Sequence, residues 1–203
     1  MYKVYTMELQ FRDKIYGGVP KNPEVLNTFL QIQGMPEELS EEYEEEADLD
    51  AQAEKYWTGF RKDETGIFIR DFQIKAMLKE TASVLGITTQ KRGSKAILQH
   101  GLFIKPPRIH LLDEQGNPKK EPDGYDDIVG SPKGPGGRRS IIRRVDYALR
   151  PRIRFRVYLL DGGKLSEEDL RKCFELGQED GLGSLRSYEA GKFDIVKFER
   201  EDS

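Results

Sequence analysis

Cysteine and histidine are nearly absent from this sequence, which holds one cysteine, Cys173, and two histidines, His100 and His110, among 203 residues. A single cysteine excludes an internal disulfide framework and fits a reducing compartment. So few Cys and His side chains also nearly exclude a zinc site, and we predict neither a metal nor a cofactor. Cys173 falls at an apolar-spaced position of a predicted helix, so we interpret it as a core residue.

Long apolar runs are missing as well. No uncharged stretch approaches the roughly 20 residues that a membrane-spanning helix needs. The first residues alternate like a strand and lack a signal-peptide core. The sequence therefore predicts a soluble, cytoplasmic protein without a membrane partner. Hydrophobic residues make up 36% of the chain and charged residues 34%, which predicts a folded core under a very polar surface.

The net charge is only -3, but acidic and basic side chains are concentrated in two separate segments. Residues 37–54 contain ten acidic side chains and no basic one. Residues 131–157 contain nine basic side chains and one acid, Asp146. A local potential rather than the net charge attracts a polyanion. We predict an acidic insertion over 36–64 that solubilises the surface, shields a polyanion site or contacts a basic neighbouring subunit.

Hydrophobic periodicity predicts alternating strands and helices. The predicted elements are strands at 2–11, 66–70, 101–104, 108–112, 150–160 and 192–199, a helix from a cap at Asn22, a helix from a cap at Asp71 to about Leu85, and a helix opening at Ser166. A stretch rich in Gly, Pro and Asp predicts a loop or hairpin insertion over 113–140. This order predicts an α+β fold, a ferredoxin-like (RRM-like) antiparallel sheet with two helices on one face plus insertions, in a single domain over 1–203.

Arginine recurs at every second position of the strand 150–160, at Arg150, Arg152, Arg154 and Arg156. Side chains at this spacing lie about 7 Å apart on one face of a strand, close to the spacing of phosphates in an extended single strand. The pattern predicts a polyanion-binding face; the alternative is that acidic neighbours pair with the arginines. Further basic residues beside glycines favour the first reading. These are Arg138, Arg139, Arg143 and Arg144.

A glycine-rich loop at 181–187 could donate the backbone amides of Gly181, Gly183 and Ser184 to a phosphate. The alternative is that it only ends a helix. Aromatic side chains could stack on bases, and we favour Tyr158, on the arginine face, and Tyr188, in the glycine loop. The remaining candidates are Tyr2, Tyr16, Tyr125 and Tyr147.

Catalytic patterns are poor, because neither His100 nor His110 is accompanied by a nucleophile motif. Asp13, after the first strand, is the one acid worth testing for cleavage. We therefore predict a binding protein rather than an enzyme. The alternatives that stay open are an endoribonuclease, with or without a metal, and a structural subunit that assembles through acidic–basic contacts.

Three stretches together resemble the RAMP superfamily of CRISPR-associated RNA-binding proteins, especially the branch that polymerises along guide RNA. They are 66–80 (GIFIRDFQIKAMLKE), 143–147 (RRVDY) and 181–193 (GLGSLRSYEAGKF). The resemblance implies single-stranded RNA gripped along its backbone, with Lys75, a basic loop and Arg186 as contacts, and RNA favoured over DNA. It also implies a subunit of a ribonucleoprotein or filament in antiviral defence, in contact with copies of itself or with other subunits. A stand-alone relative is equally compatible.

Overall fold

A computed structural model describes residues 1–22, 53–87, 100–130, 133–134, 137–138 and 141–201. Backbone contacts divide the chain into two compact units. The first unit comprises Met1–Tyr16, Arg61–Glu121 and Ala148–Ser203, and the second comprises Gly17–Phe60 and Pro122–Tyr147. Both predicted insertions overlap the second unit, and the single domain over 1–203 stays a prediction.

The fold is mixed α+β with mostly antiparallel sheets, as predicted. In chain order the strands are β1 (Tyr2–Phe11), β2 (Lys14–Tyr16), β3 (Val19–Pro20), β4 (Thr58–Gly59), β5 (Arg61–Lys62), β6 (Ile67–Arg70), β7 (Leu102–Lys105), β8 (Arg108–His110), β9 (Gly124–Gly130), β10 (Lys133–Gly134), β11 (Gly137–Arg138), β12 (Ile141–Leu149), β13 (Arg152–Leu160) and β14 (Phe193–Arg200). The helices are α1 (Asp71–Val84) and α2 (Glu167–Asp180), and a short 3-10 helix spans Arg186–Tyr188.

The main sheet of the first unit has the strand order β14-β1-β13-β7, and each neighbouring pair is antiparallel. In the β1–β13 pair the register runs from Tyr2 opposite Leu160 to Gln10 opposite Arg152. A second sheet of this unit has the order β5-β6-β8. The strands predicted at 2–11, 101–104 and 192–199 are confirmed to within a residue at each end.

Alternation along β1 and β13 gives the main sheet one apolar face and one polar face. The apolar face is buried and consists of Tyr5, Met7, Leu9 and Phe11 from β1 and Ile153, Phe155, Val157 and Leu159 from β13. Helix α2 packs on it, with the ring of Phe174 6.2 Å from that of Phe155. The Tyr5 hydroxyl donates a 2.8 Å hydrogen bond to Glu167, and burial together with this bond raises the pKa of Tyr5 to about 12.

Helix α1 begins one residue earlier than predicted, because its N-cap is Arg70 rather than Asp71. The Arg70 amide donates to the Gln73 side chain (2.9 Å), and Asp71 lies in the first turn, near the positive end of the helix dipole. Two apolar residues of this helix, Phe72 and Val84, are 55% and 74% exposed. Phe72 lies about 200° around the helix from the buried Ile74, and Val84 belongs to the last turn.

Helix α2 begins at the predicted cap, Ser166. The Ser166 hydroxyl accepts from the Asp169 amide (3.0 Å). The Asp169 carboxylate accepts from the Ser166 hydroxyl (2.7 Å) and amide (3.1 Å), and these two bonds lower the pKa of Asp169. Cys173 is buried as predicted, and burial raises the pKa of its thiol. Gly177 faces α1, where an added Cβ would lie 2.7 Å from the sulfur of Met77.

In the second unit β12 pairs antiparallel with β9 and parallel with β4, and β3 pairs with β4. The stretch 113–140 was expected to be a loop or hairpin insertion, and residues 124–130 within it form a regular strand. Pairing with β12 overrides the low strand propensity of glycine and aspartate. The predicted helix after Asn22 and most of the acidic segment 37–54 lie outside the described residues, as does the basic stretch 91–95.

No helix in the described part of the chain is long and apolar enough to cross a membrane.

Replacing Phe174 by alanine should lower the free energy of unfolding by about 3–5 kcal/mol, because the fully buried ring contacts Phe155 and Phe198. Phe72→Ala is the matched control and should cost less than about 1 kcal/mol, since that ring is largely in water. Urea unfolding of both variants measures the difference. Equal losses would contradict the packing of α2 on the main sheet.

Candidate nucleic-acid interface

The predicted arginine stripe lies on the polar face of the main sheet, but it has three members on the strand rather than four. Arg152, Arg154 and Arg156 alternate with the buried residues of β13. The prediction that Arg150 belongs to this strand is wrong. Arg150 lies in the turn before β13, where it has a φ of 43° and its amide donates to the Asp13 carbonyl (3.0 Å). A side chain in this left-handed conformation does not continue the alternation.

Glu8 lies opposite Arg154 on β1 and pairs with two of the arginines. Its carboxylate is 3.2 Å from the Arg152 guanidinium and 2.7 Å from that of Arg154. Arg152 also donates to Gln10 (3.0 Å). The Glu8 carboxylate therefore offsets the repulsion between adjacent like charges and fixes both guanidinium groups. The alternative given for the arginine stripe was that acidic neighbours pair with it. An acid on the adjoining strand, Glu8, does pair with Arg152 and Arg154.

Arg156 has a separate acidic partner, Glu201, just past the end of β14. The Glu201 carboxylate accepts from Arg156 Nε (2.7 Å) and from the Thr6 hydroxyl (2.6 Å). The Thr6 hydrogen bond and the nearby Arg156 charge lower the pKa of Glu201. The Glu201 amide also donates to the Val4 carbonyl (2.8 Å), so both backbone and side chain hold this acid on the polar face.

These ion pairs leave part of each outer guanidinium exposed. Arg156 meets its carboxylate through Nε, and Arg154 does so through Nε with a longer Nη2 contact of 3.5 Å. Their side chains are 58% and 53% exposed. A guanidinium carries five N–H donors in a planar fork, so the edge away from Nε can still contact a phosphate. Arg152 is only 31% exposed and is bound by both Glu8 and Gln10, which makes it chiefly structural.

Aromatic side chains lie at the other end of the polar face. Tyr158 is on the arginine side of β13, as predicted, and the Lys105 ammonium lies 5.1 Å from the centre of its ring. Phe103 on β7 is opposite Tyr158 and is 40% exposed. Sequence reasoning missed Phe103, although alternation in Leu102–Lys105 places it across the strand from the buried Leu102 and Ile104.

The glycine-rich loop uses its amides within the protein. Gly181, with a φ of 75°, ends α2, and its amide donates to the Gly177 carbonyl (2.9 Å). The Ser184 amide donates to the Tyr16 carbonyl (3.1 Å), and a Cβ on Gly183 would lie 2.8 Å from that same oxygen. The geometry thus favours the helix-ending alternative at Gly181, and the glycines permit close backbone packing.

Two further predicted contacts are engaged by neighbouring groups. Arg186 forms a two-pronged pair with Glu80, at 2.6 and 3.3 Å. The Lys75 ammonium donates to the Leu102 carbonyl (2.8 Å), and burial lowers the pKa of Lys75. Tyr188, in the 3-10 helix, is 62% exposed beside a cavity of about 180 Å³ that Arg12 and Lys192 also line.

The predicted basic residues before β13 belong to the second unit. Arg144 forms a two-pronged pair with Asp127 (2.8 and 2.9 Å) and lies 4.4 Å from the Tyr125 ring. Arg143 is half-buried opposite Ile128 on β9. Arg138 lies on the short strand β11, and Arg139 lies outside the described residues.

Of the candidate catalytic residues, His110 has an acidic neighbour. It is Asp63, whose carboxylate is 2.9 Å from His110 Nε2. Arg108 and the amides of Thr65 and Gly66 also bind Asp63. The His110 and Arg108 contacts, with these amides, lower the pKa of Asp63. These contacts are of the kind that stabilise a turn. Among the described residues, no group of His, Cys, Asp and Glu could hold a metal ion.

Comparison with known proteins supports the fold. No protein-family profile and no curated protein sequence matches the chain. A chain of the type III-B Cmr-beta structure bound to cognate target RNA aligns with 98% of this chain, with a TM-score of 0.52 and 14% identity. The two chains share a fold. This chain spans 60% of the length of that Cmr-beta chain. A chain of a type IV-B CRISPR complex aligns over 98% of this chain and 91% of its own length, with a TM-score of 0.47 and 9% identity.

Gly191→Ala should unfold the glycine-rich loop region, because a Cβ there would lie within 1.8 Å of the Leu182 carbonyl oxygen and φ is 75°. Gly162→Ala is the matched control, with a φ of 69° and open space around its Cβ. Thermal unfolding should show a loss of about 1 kcal/mol for the control and at least about 2 kcal/mol more for Gly191→Ala. A similar loss of stability in both variants would mean that Gly191 is needed only for its positive φ and not for the close approach to Leu182.

Proposed function

We propose that this RAMP-like protein binds single-stranded RNA through the polar face of its main sheet, as a subunit of a CRISPR-type ribonucleoprotein. The observation that carries the proposal is the pair of half-exposed guanidinium groups, Arg154 and Arg156, held on one strand face by Glu8 and Glu201. The similarity to a chain from an RNA-bound Cmr-beta structure is consistent with it. A role in antiviral defence, a cytoplasmic location and self-association belong to the same proposal.

The finer fold assignment is part of this proposal. The strands of the main sheet and the two helices follow the chain order β1-α1-β7-β13-α2-β14, and the sheet order is β14-β1-β13-β7. We assign this arrangement to the ferredoxin-like (RRM-like) class. In such an arrangement the helices occupy one face of the sheet, and the polar face is the one that a ligand approaches.

An extended single strand suits this face better than a duplex. Arg154 and Arg156 are two residues apart on a strand, which separates their side chains by about 7 Å, close to the phosphate spacing of an extended chain. Their carboxylate partners hold the guanidinium groups in place before RNA arrives, so less side-chain entropy is lost on binding. RNA is favoured over DNA by the RAMP-like fold and not by any contact on this face.

Salt dependence should report how many phosphates the face contacts. Each phosphate contact on a single strand changes the slope of log affinity against log salt by about 0.7. Contacts by Arg154 and Arg156 therefore predict a shallow slope of about -1.4, well below that of a highly basic groove. Affinity independent of salt would contradict the proposal.

Arg156→Gln should weaken binding of a fluorescent single-stranded RNA about threefold to tenfold at low salt and reduce the salt slope by about 0.7, because one phosphate contact is lost. Lys172→Gln is the matched control: it removes one positive charge from α2, also beside a glutamate, at 52% exposure. Fluorescence anisotropy with single-stranded RNA, single-stranded DNA and duplex RNA measures both effects. Equal weakening by the two variants would mean that only net charge matters and would overturn the assignment to the polar face.

Glu201→Gln should strengthen RNA binding about twofold to fivefold, since it removes the carboxylate that competes with phosphate for Arg156. The same titration with Glu168→Gln, which removes the acidic partner of Lys172, gives the control for net charge. If Glu201→Gln binds no more tightly than this control, Arg156 does not contact the RNA.

A further inference from the structure

Two exposed aromatic rings and one half-buried ring meet on the polar face of the main sheet. Tyr2 on β1 and Phe103 on β7 flank β13, and their ring centroids are 5.7 Å apart in an edge-to-face arrangement. Tyr158 lies between these strands, opposite Phe103. Leu160, opposite Tyr2, extends the apolar area beneath them. We call this set of four residues the aromatic platform.

The exposure of the platform is not explained by core packing. Tyr2 is 42% exposed, Phe103 40% and Leu160 37%, although the apolar face of the same strands is fully buried. Single exposed apolar side chains are ordinary, but a contiguous exposed group marks a binding surface. Aromatic side chains favour flat, polarizable ligands that stack on them.

Positive charge flanks the platform. The Lys105 ammonium lies 5.1 Å from the Tyr158 ring centre, and the Lys75 ammonium lies 5.2 Å from that of Phe103. Arg156 lies two residues before Tyr158 on β13, so the two side chains are about 7 Å apart on the polar face. Flat apolar rings bordered by cations match a nucleotide, whose base is flat and whose phosphate is negative. A purely apolar peptide would bring no negative group to Lys105 and Arg156.

The surface continues into a shallow cavity beyond the platform. This cavity has a volume of about 270 Å³ and is lined by Leu160 together with His100, Lys164 and the glycines of the turn after β13. A strand that stacks one base on the platform can thus continue toward another basic side chain, Lys164, at one end and toward Arg156 at the other.

We propose that Tyr2, Phe103 and Tyr158 form a base-stacking site for single-stranded RNA, with the phosphates next to the stacked base directed toward Lys105 and Arg156. This site rests on the proposed function and gives it a second component. Stacking on every kind of base is possible, so the site predicts little sequence preference. It also predicts an affinity component that salt does not weaken, in contrast to the phosphate contacts.

The test uses the full chain with two fluorescent RNA 12-mers of equal backbone charge, one with all bases and one with abasic sites at its centre. Phe103→Ala and Tyr158→Ala should each weaken binding of the complete RNA roughly fivefold to a hundredfold while leaving the salt slope unchanged. Neither should change the weaker binding of the abasic RNA. Phe103→Trp should restore binding, and quenching of a 2-aminopurine base in the RNA should follow the same order.

Phe72→Ala is the matched control, because it removes another exposed phenylalanine ring, on α1. Wild-type protein that binds both RNAs equally, with no effect of Phe103→Ala, would overturn the stacking site and leave the arginine contacts standing. Wild-type protein that binds neither RNA would overturn the proposed function and the site together. If Phe103→Ala changes sedimentation of the protein alone but not base quenching, the platform contacts protein and the proposal is wrong.

Discussion

The pairing of β1 with β13 sets the position of every other feature of the main sheet. Its register brings Met7 opposite Phe155 on the apolar face and Glu8 opposite Arg154 on the polar face. Because side chains alternate, a slip of one residue would bury the arginines and expose the core aromatics. The hydrophobic face therefore fixes the register strongly, and the polar face inherits its exact pairing from the core. A polar surface built in this way needs no packing of its own to be ordered.

Glu8 illustrates the cost of placing arginines in a row. It is only 9% exposed, and a carboxylate that has lost so much water requires charged partners. Arg152 and Arg154 supply them, so these residues cannot be regarded as free cations awaiting a ligand. The result is a gradient along β13: Arg152 serves the fold, while the outer edges of Arg154 and Arg156 stay in water. The carboxylate partners fix the orientation of the guanidinium groups, but they also reduce the positive potential of this face.

Local patterns in the sequence predicted much of this fold. Alternation identified β1 and β13, and Ser166 with the acids after it marked the start of α2. Long-range partners were beyond such reasoning, because nothing near Arg154 in the chain indicates that Glu8 will lie opposite it. Arg150 was misassigned because a left-handed turn residue has no signature in an arginine repeat. Phe103 was overlooked because β7 is too short to display a convincing period.

Acidic and basic side chains on the polar face largely offset each other, so its aromatic rings and its cations would have to bind a nucleic acid together. Glu8 and Glu201 offset much of the arginine charge, and Lys197 is paired with Glu199 at 2.8 Å. Such a face attracts a polyanion only at short range, since opposite charges a few ångströms apart cancel beyond about one Debye length. Contacts that do not depend on charge must then hold the ligand close enough for the guanidinium edges to be used. The aromatic platform, which includes Tyr158 on the same strand as Arg156, would provide that kind of contact.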